Sequence, residues 1–194
     1  MQITQLIPFF LLGAAFASSP SPVERKASLV QRDYATISGV ISDVQSKTSS
    51  LKSAIDAYQG TGQTASVQNA QDALLNSINT GNSKVAASSS VTLAQAYQIG
   101  NQVDDLTDVV NASVDSALNK KSAFVAAGDA GKVKKGFNDL KSAANTLGST
   151  IKSKVPSSAQ NLAQQKIDKL NEAIQRGVDG YADVARRAAR DFKA

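Results

Sequence analysis

The chain of 194 residues has no histidine, cysteine or tryptophan, and its only methionine is Met1. Without imidazole or thiolate, the usual zinc ligands and the usual nucleophile–base pairs cannot be assembled. No disulfide can brace the fold, so stability must come from burial, capping and helix length. Proline is confined to positions 8, 20, 22 and 156, which leaves residues 23–155 without the one residue that forbids a helix interior. Alternating apolar runs and Asn-Gly hairpin dipeptides are missing, so nothing signals a strand. No apolar run is long enough to cross a bilayer, which argues against a transmembrane protein. Catalysis, resident metals and cofactors are therefore not expected.

The apolar run that is present stands at the start. Ile7-Pro8-Phe9-Phe10-Leu11-Leu12 precedes Gly13-Ala14-Ala15-Phe16-Ala17, and Ala15 and Ala17 form an A-x-A cleavage pattern. Residues 1–17 read as a secretory signal peptide, although no Lys or Arg precedes the run. Residues 18–32 are Pro/Ser-rich and read as a disordered leader or a propeptide; a cut after Arg32 and an uncut leader are both open. A folded domain is expected over 33–185, followed by a basic tail, 186–194. That tail lacks the hydrophobic segment a glycolipid-anchor signal needs.

Between these ends the apolar residues recur at helical spacing. Ile37, Ile41, Val44, Thr48, Leu51, Ile55 and Tyr58 step by 4, 3, 4, 3, 4, 3 and so share one helical face. Gly60-Thr61-Gly62 ends that stretch, and Thr64 is placed to cap the next. A second seam runs Val67, Ala70, Leu74, Ile78, Gly81, Val85. A third starts near Thr92 with Leu93, Ala96, Ile99, Val103, Leu106, Val110, Val114 and Ala117. After a short segment with Phe124 and Val125 comes a fourth seam of Val133, Phe137, Leu140, Ala144, Leu147 and Ile151, stopped by Pro156. Ser157 and Gln160 have capping-box spacing ahead of a fifth, which carries Ala163, Ile167, Leu170, Ile174, Val178, Tyr181, Ala185 and Ala188. The expected fold is all-α, an antiparallel bundle of about five amphipathic helices.

The seams are regular but light. Seven aromatics follow the signal: Tyr34, Tyr58, Tyr97, Phe124, Phe137, Tyr181 and Phe192. Many seam positions are Ala, Gly or Thr. An interior built this way either closes up by close helix approach or stays partly unfilled and admits a long apolar guest. Light seams also let helices part and lay their apolar faces on a hydrophobic surface. If a cavity forms, its expected lining is Ile41, Val44, Leu51, Ile55, Leu74, Ile78, Val103, Leu106, Val110, Phe137, Leu140, Leu147, Ile151, Leu170 and Ile174.

Five short pieces carry a family resemblance: Arg32-Asp33 leading into the first seam, Ser53-Ala54-Ile55-Asp56-Ala57-Tyr58-Gln59-Gly60, Lys120-Lys121-Ser122-Ala123-Phe124, Lys154-Val155-Pro156-Ser157, and Ile174-Gln175-Arg176-Gly177-Val178-Asp179-Gly180-Tyr181. In this order the chain resembles the fungal hydrophobic surface-binding proteins, also called cell wall galactomannoproteins. The resemblance implies a secreted, extracellular or wall-associated helical protein that takes up fatty acids or adsorbs to hydrophobic surfaces. Cell wall polysaccharide and secreted polymer-degrading enzymes are the partners it adds, together with O-linked mannose. A structural wall mannoprotein without lipid ligand is the alternative.

Other signals are weaker. Asp104, Asp105 and Asp108 form an acidic cluster that reads as a solvated face, since calcium or acid–base work needs more convergent ligands. Gly128-Asp129-Ala130-Gly131-Lys132 lacks the phosphate-loop spacing and reads as a turn between helices. Asn111-Ala112-Ser113 is the only glycosylation sequon, and Asn111 adjoins seam residue Val110. Lys132, Lys134, Lys135, Lys141, Lys152 and Lys154 make the fourth stretch basic. In an exported chain with a net charge of +5 this suits anionic polymers or lipid carboxylates, or a plain solvated face, better than nucleic acid.

Overall fold

The structure, a computed structural model, describes residues 22–60 and 62–183. The signal stretch, the first part of the leader and the basic tail lie outside the described residues, as do the expected seam positions Ala185 and Ala188. The elements are α1 (Pro22–Asp56), α2 (Thr64–Ala86), α3 (Leu93–Asn119), the short α4 (Lys121–Ala126), α5 (Ala130–Lys154), a single 3-10 turn (Ser157–Ala159) and α6 (Gln160–Gly180). No strand occurs among the described residues.

Helix α1 begins at Pro22 rather than near Asp33, so it runs through a stretch expected to be disordered. Proline suits a first helical position, where its missing N–H is not needed and its φ is already helical. At 35 residues the helix is about 52 Å long at ~1.5 Å per residue. Every position of its seven-residue seam is buried, Thr48 included; the Thr48 hydroxyl donates to the Val44 carbonyl at 2.8 Å. The chain then reverses at Gly60 and Gly62, both at positive φ, a conformation that favours glycine.

Two capping expectations fail and one unforeseen cap forms. Thr64 is the first residue of α2, not its cap, and its hydroxyl donates to Asp129. Ser157 caps nothing: Pro156 feeds a 3-10 turn closed by the Ala159 N–H donating to the Pro156 carbonyl at 2.8 Å, and α6 starts from there. Instead, Thr92 and Gln95 exchange hydrogen bonds as a capping box at the start of α3. Leu93, expected on the seam, sits at this helix entrance and is exposed.

The five long helices alternate in direction along the chain. The α1–α2 contacts Val40–Gly81 and Asp43–Ser77 are antiparallel, as are the α5–α6 contacts Phe137–Gly177 and Gly148–Ile167. Their spatial order matters more. α1 packs on α2 and α3, α3 on α6, α6 on α5, and α5 back on α2. These contacts close a ring in which each long helix touches two neighbours. Among the described residues no helix fills the middle, so the interior must be filled by side chains alone.

Candidate functional site

Aromatic residues fill one end of the ring. Tyr58, just past the end of α1, is fully buried and stacks on Phe124 of α4 with centroids 4.1 Å apart. Its hydroxyl donates to Asp129 at 2.9 Å, and Asp129 is only 5% exposed. Asp129 also accepts from Thr64 and from Lys132, the latter at 2.8 Å. The Lys132 ammonium, joined by the Thr64 and Tyr58 hydroxyls, holds the Asp129 carboxyl below its ordinary value, against the opposing effect of burial. Burial, reinforced by Asp129, pushes the Tyr58 hydroxyl up. Phe137 and Tyr181 complete this end; the Tyr181 hydroxyl donates to the Ala117 carbonyl at 2.6 Å. Asp129 was legible only as part of a turn, yet it ties α1, α2 and α5 together.

The other end is hollow. An apolar cavity of about 70 Å³ lies between α1, α2, α3, α5 and α6. Ile41, Val44, Ile78, Val103, Leu106, Leu147, Ile151 and Leu170 line it, all among the expected residues. A second cavity of about 50 Å³ continues toward the aromatic end, behind a partition of Val44, Ile78, Leu106, Ala144 and Leu170. It adds Leu51, Leu74, Val110, Phe137, Leu140 and Ile174. A third, of about 20 Å³, reaches Ile55 beneath Phe124. Each of the fifteen expected lining residues thus borders one of three voids that shrink toward the aromatic end.

Periodicity placed Ala96, Ala144 and Ala163 on the seams but passed over Gly100, Gly148 and Ala159 in the apolar cavity of about 70 Å³. Ala96, Gly100, Ala144, Gly148, Ala159 and Ala163 replace bulk along its wall, and no aromatic lines it. Gly100 is the sharpest case. It is buried in mid-α3, yet a Cβ built there would meet nothing within 4 Å. A helical glycine costs about 1 kcal/mol relative to alanine. Elsewhere glycines are filled against: a Cβ at Gly177 would stand 2.7 Å from the Phe137 ring, and one at Gly81 2.5 Å from Val40. Gly100 permits no close contact; it leaves space.

One charged residue borders the main cavity. Lys166 of α6 lines it with its stem and pairs with Asp104 of α3 at an outer groove shared with Asp108, Lys169, Glu172 and Arg176. The acidic cluster is therefore partly engaged in an ion pair. The lysines of α5 are largely occupied: Lys135 pairs with Asp139 at 2.5 Å, and Lys154 donates to the Ala86 and Ser88 carbonyls at 2.8 and 2.7 Å. Asn111 is half-buried and accepts from Arg176 at 3.1 Å, and Ser113 of the same sequon is buried.

Residues 34–153 match the family described as hydrophobic surface binding protein A. The chain belongs to that family. Cell wall mannoprotein 1 of Aspergillus flavus is 37% identical over 176 residues, 91% of this chain and 62% of the relative. The chain thus spans about three fifths of the length of that relative. Ligand binding domain 1 of the Penicillium marneffei MP1 protein, complexed with arachidonic acids, superposes with a TM-score of 0.73 at 24% identity, covering 77% of this chain and 99% of that one. AFMP4P in complex with palmitic acid gives 0.73 at 18% identity, over 76% and 99%. This chain shares the helical fold of both structures. Among the described residues no helix is long and apolar enough to cross a membrane.

Proposed function

We propose that this protein is a non-enzymatic, secreted or wall-associated binder of long-chain fatty acids, and that the acyl chain lies in the hollow half of the ring. The observation that carries the reading is the void beside Gly100. Taking ~10–15 Å³ per water-sized probe, about 70 Å³ holds several water-sized groups in an almost wholly apolar lining. Such voids stay dry and take apolar guests. A chain longer than the first cavity must pass the partition, so Leu106, Leu170 and Ile78 would change rotamer and join the first two voids into one channel. The arachidonic and palmitic acids in the MP1 and AFMP4P structures support the ligand class. Titrating delipidated protein with palmitic acid under native mass spectrometry tests the reading. A one-to-one mass shift with a raised melting temperature is expected; absence of both would overturn it.

Adsorption to hydrophobic surfaces is a second activity with its own support. Leu93 and Tyr97, one turn apart on α3, are 43% and 54% exposed at the hollow end. Replacing both with serine should lower retention on hydrophobic beads without touching the interior. A role as a glycan-bearing wall spacer would instead leave both tests blank.

A further inference from the structure

From the polarity of the hollow half we infer that Lys166 receives the carboxylate of the bound acyl chain, and that Asp104 occupies that position until the ligand arrives. The inference rests on the acyl-binding reading and deepens it by fixing which way the ligand lies. Among the described residues Lys166 is the only charged one bordering the main cavity, and its side chain is 20% exposed. Its stem runs along apolar lining beside Ile167 and Leu170 while its ammonium reaches the outer groove, the disposition of a snorkelling lysine. The partner Asp104 is 42% exposed, so the two ends of the pair are unequal. Asp104 can turn to water at little cost, whereas a mostly covered ammonium keeps its need for an anion.

An incoming carboxylate therefore takes the place of Asp104 on the ammonium, and Asp104 turns to water. The acid group stays at the mouth, paired and partly hydrated, and only the hydrocarbon enters. The groove's other cations fit this role less well. Arg176 is held by Asp115 at 2.8 Å and by Asn111, and neither it nor Lys169 borders the apolar cavity. The rival direction would bury the carboxylate in the second cavity, where Thr48 and Ser113 supply the polar groups. There the Thr48 hydroxyl already donates to Val44, and among the described residues no cation lines the cavity.

The test compares palmitate with methyl palmitate, which has the same chain without the charge, on the full chain. Wild type should bind palmitate about tenfold or more tighter than the ester, the scale of a charge-assisted hydrogen bond. Lys166→Met, which keeps the apolar stem, should remove that preference by weakening palmitate alone. Asp104→Asn should strengthen palmitate a few-fold and leave the ester unchanged. Equal losses for both ligands in Lys166→Met, or an intact preference, would overturn the assignment. So would loss of the preference in Ser113→Ala, which would place the carboxylate at the inner cavity. If wild type binds neither ligand, the acyl-binding reading itself fails, and the headgroup assignment with it.

Discussion

The two ends of the ring are built from the same helices by opposite means. At the aromatic end, Tyr58, Phe124, Phe137 and Tyr181 fill the centre and Asp129 ties three helices together. At the other end α3, α5 and α6 present alanine and glycine, and the centre stays open. A ring with no central helix has to be filled by side-chain bulk, so where bulk is withheld a void is the direct result. One end can thus carry the fold's stability while the other is kept open for a guest.

Substitutions at the two ends should separate these roles. The largest effect belongs to the filled end: Phe124→Ala removes the ring stacked on Tyr58 and should cost about 3–5 kcal/mol, read as a lower denaturation midpoint. Next comes a pair of identical changes with opposite signs. Gly177→Ala drives a methyl into Phe137 and should destabilise by about 1–3 kcal/mol. Gly100→Ala adds a methyl to open space and should stabilise by about 0.5–1 kcal/mol through helix propensity. Equal shifts in melting temperature for the two would break the distinction between a packed glycine and a space-leaving one.

The smallest effect is acid sensitivity of the filled end. The folded-state pKa of Asp129 lies below 3.8, so its stabilising contribution is complete above that value and is lost as the pH falls through the lower one. The difference in melting temperature between wild type and Asp129→Asn should therefore shrink as the pH drops below 3.8. A constant gap across that range would mean that the carboxylate charge contributes nothing there.

Much of this architecture was legible from spacing alone. The 4, 3, 4, 3 steps of Ile37 to Tyr58 placed every one of those side chains in the interior. What spacing could not show was emptiness. Gly100 falls outside the seam that spacing picks out on α3, and its lack of neighbours is a property of α5 and α6 as much as of α3. Lys166 reads as a surface cation in any helical pattern; only the packing of α6 against α3 puts its stem along an apolar wall. Asp129 reads as turn chemistry because Tyr58 and Thr64 reach it across 71 and 65 residues of chain. The start of α1 was misplaced because a Pro/Ser-rich leader resembles a disordered one until a long neighbouring helix extends through it.

The most direct test of the hollow interior as a ligand site is palmitate binding by Gly100→Leu, measured with the melting temperature of the same sample. The side chain would occupy the main void, so the variant should fold with an unchanged or raised melting temperature and lose at least tenfold in palmitate affinity. A folded variant that binds palmitate as wild type does would contradict the account.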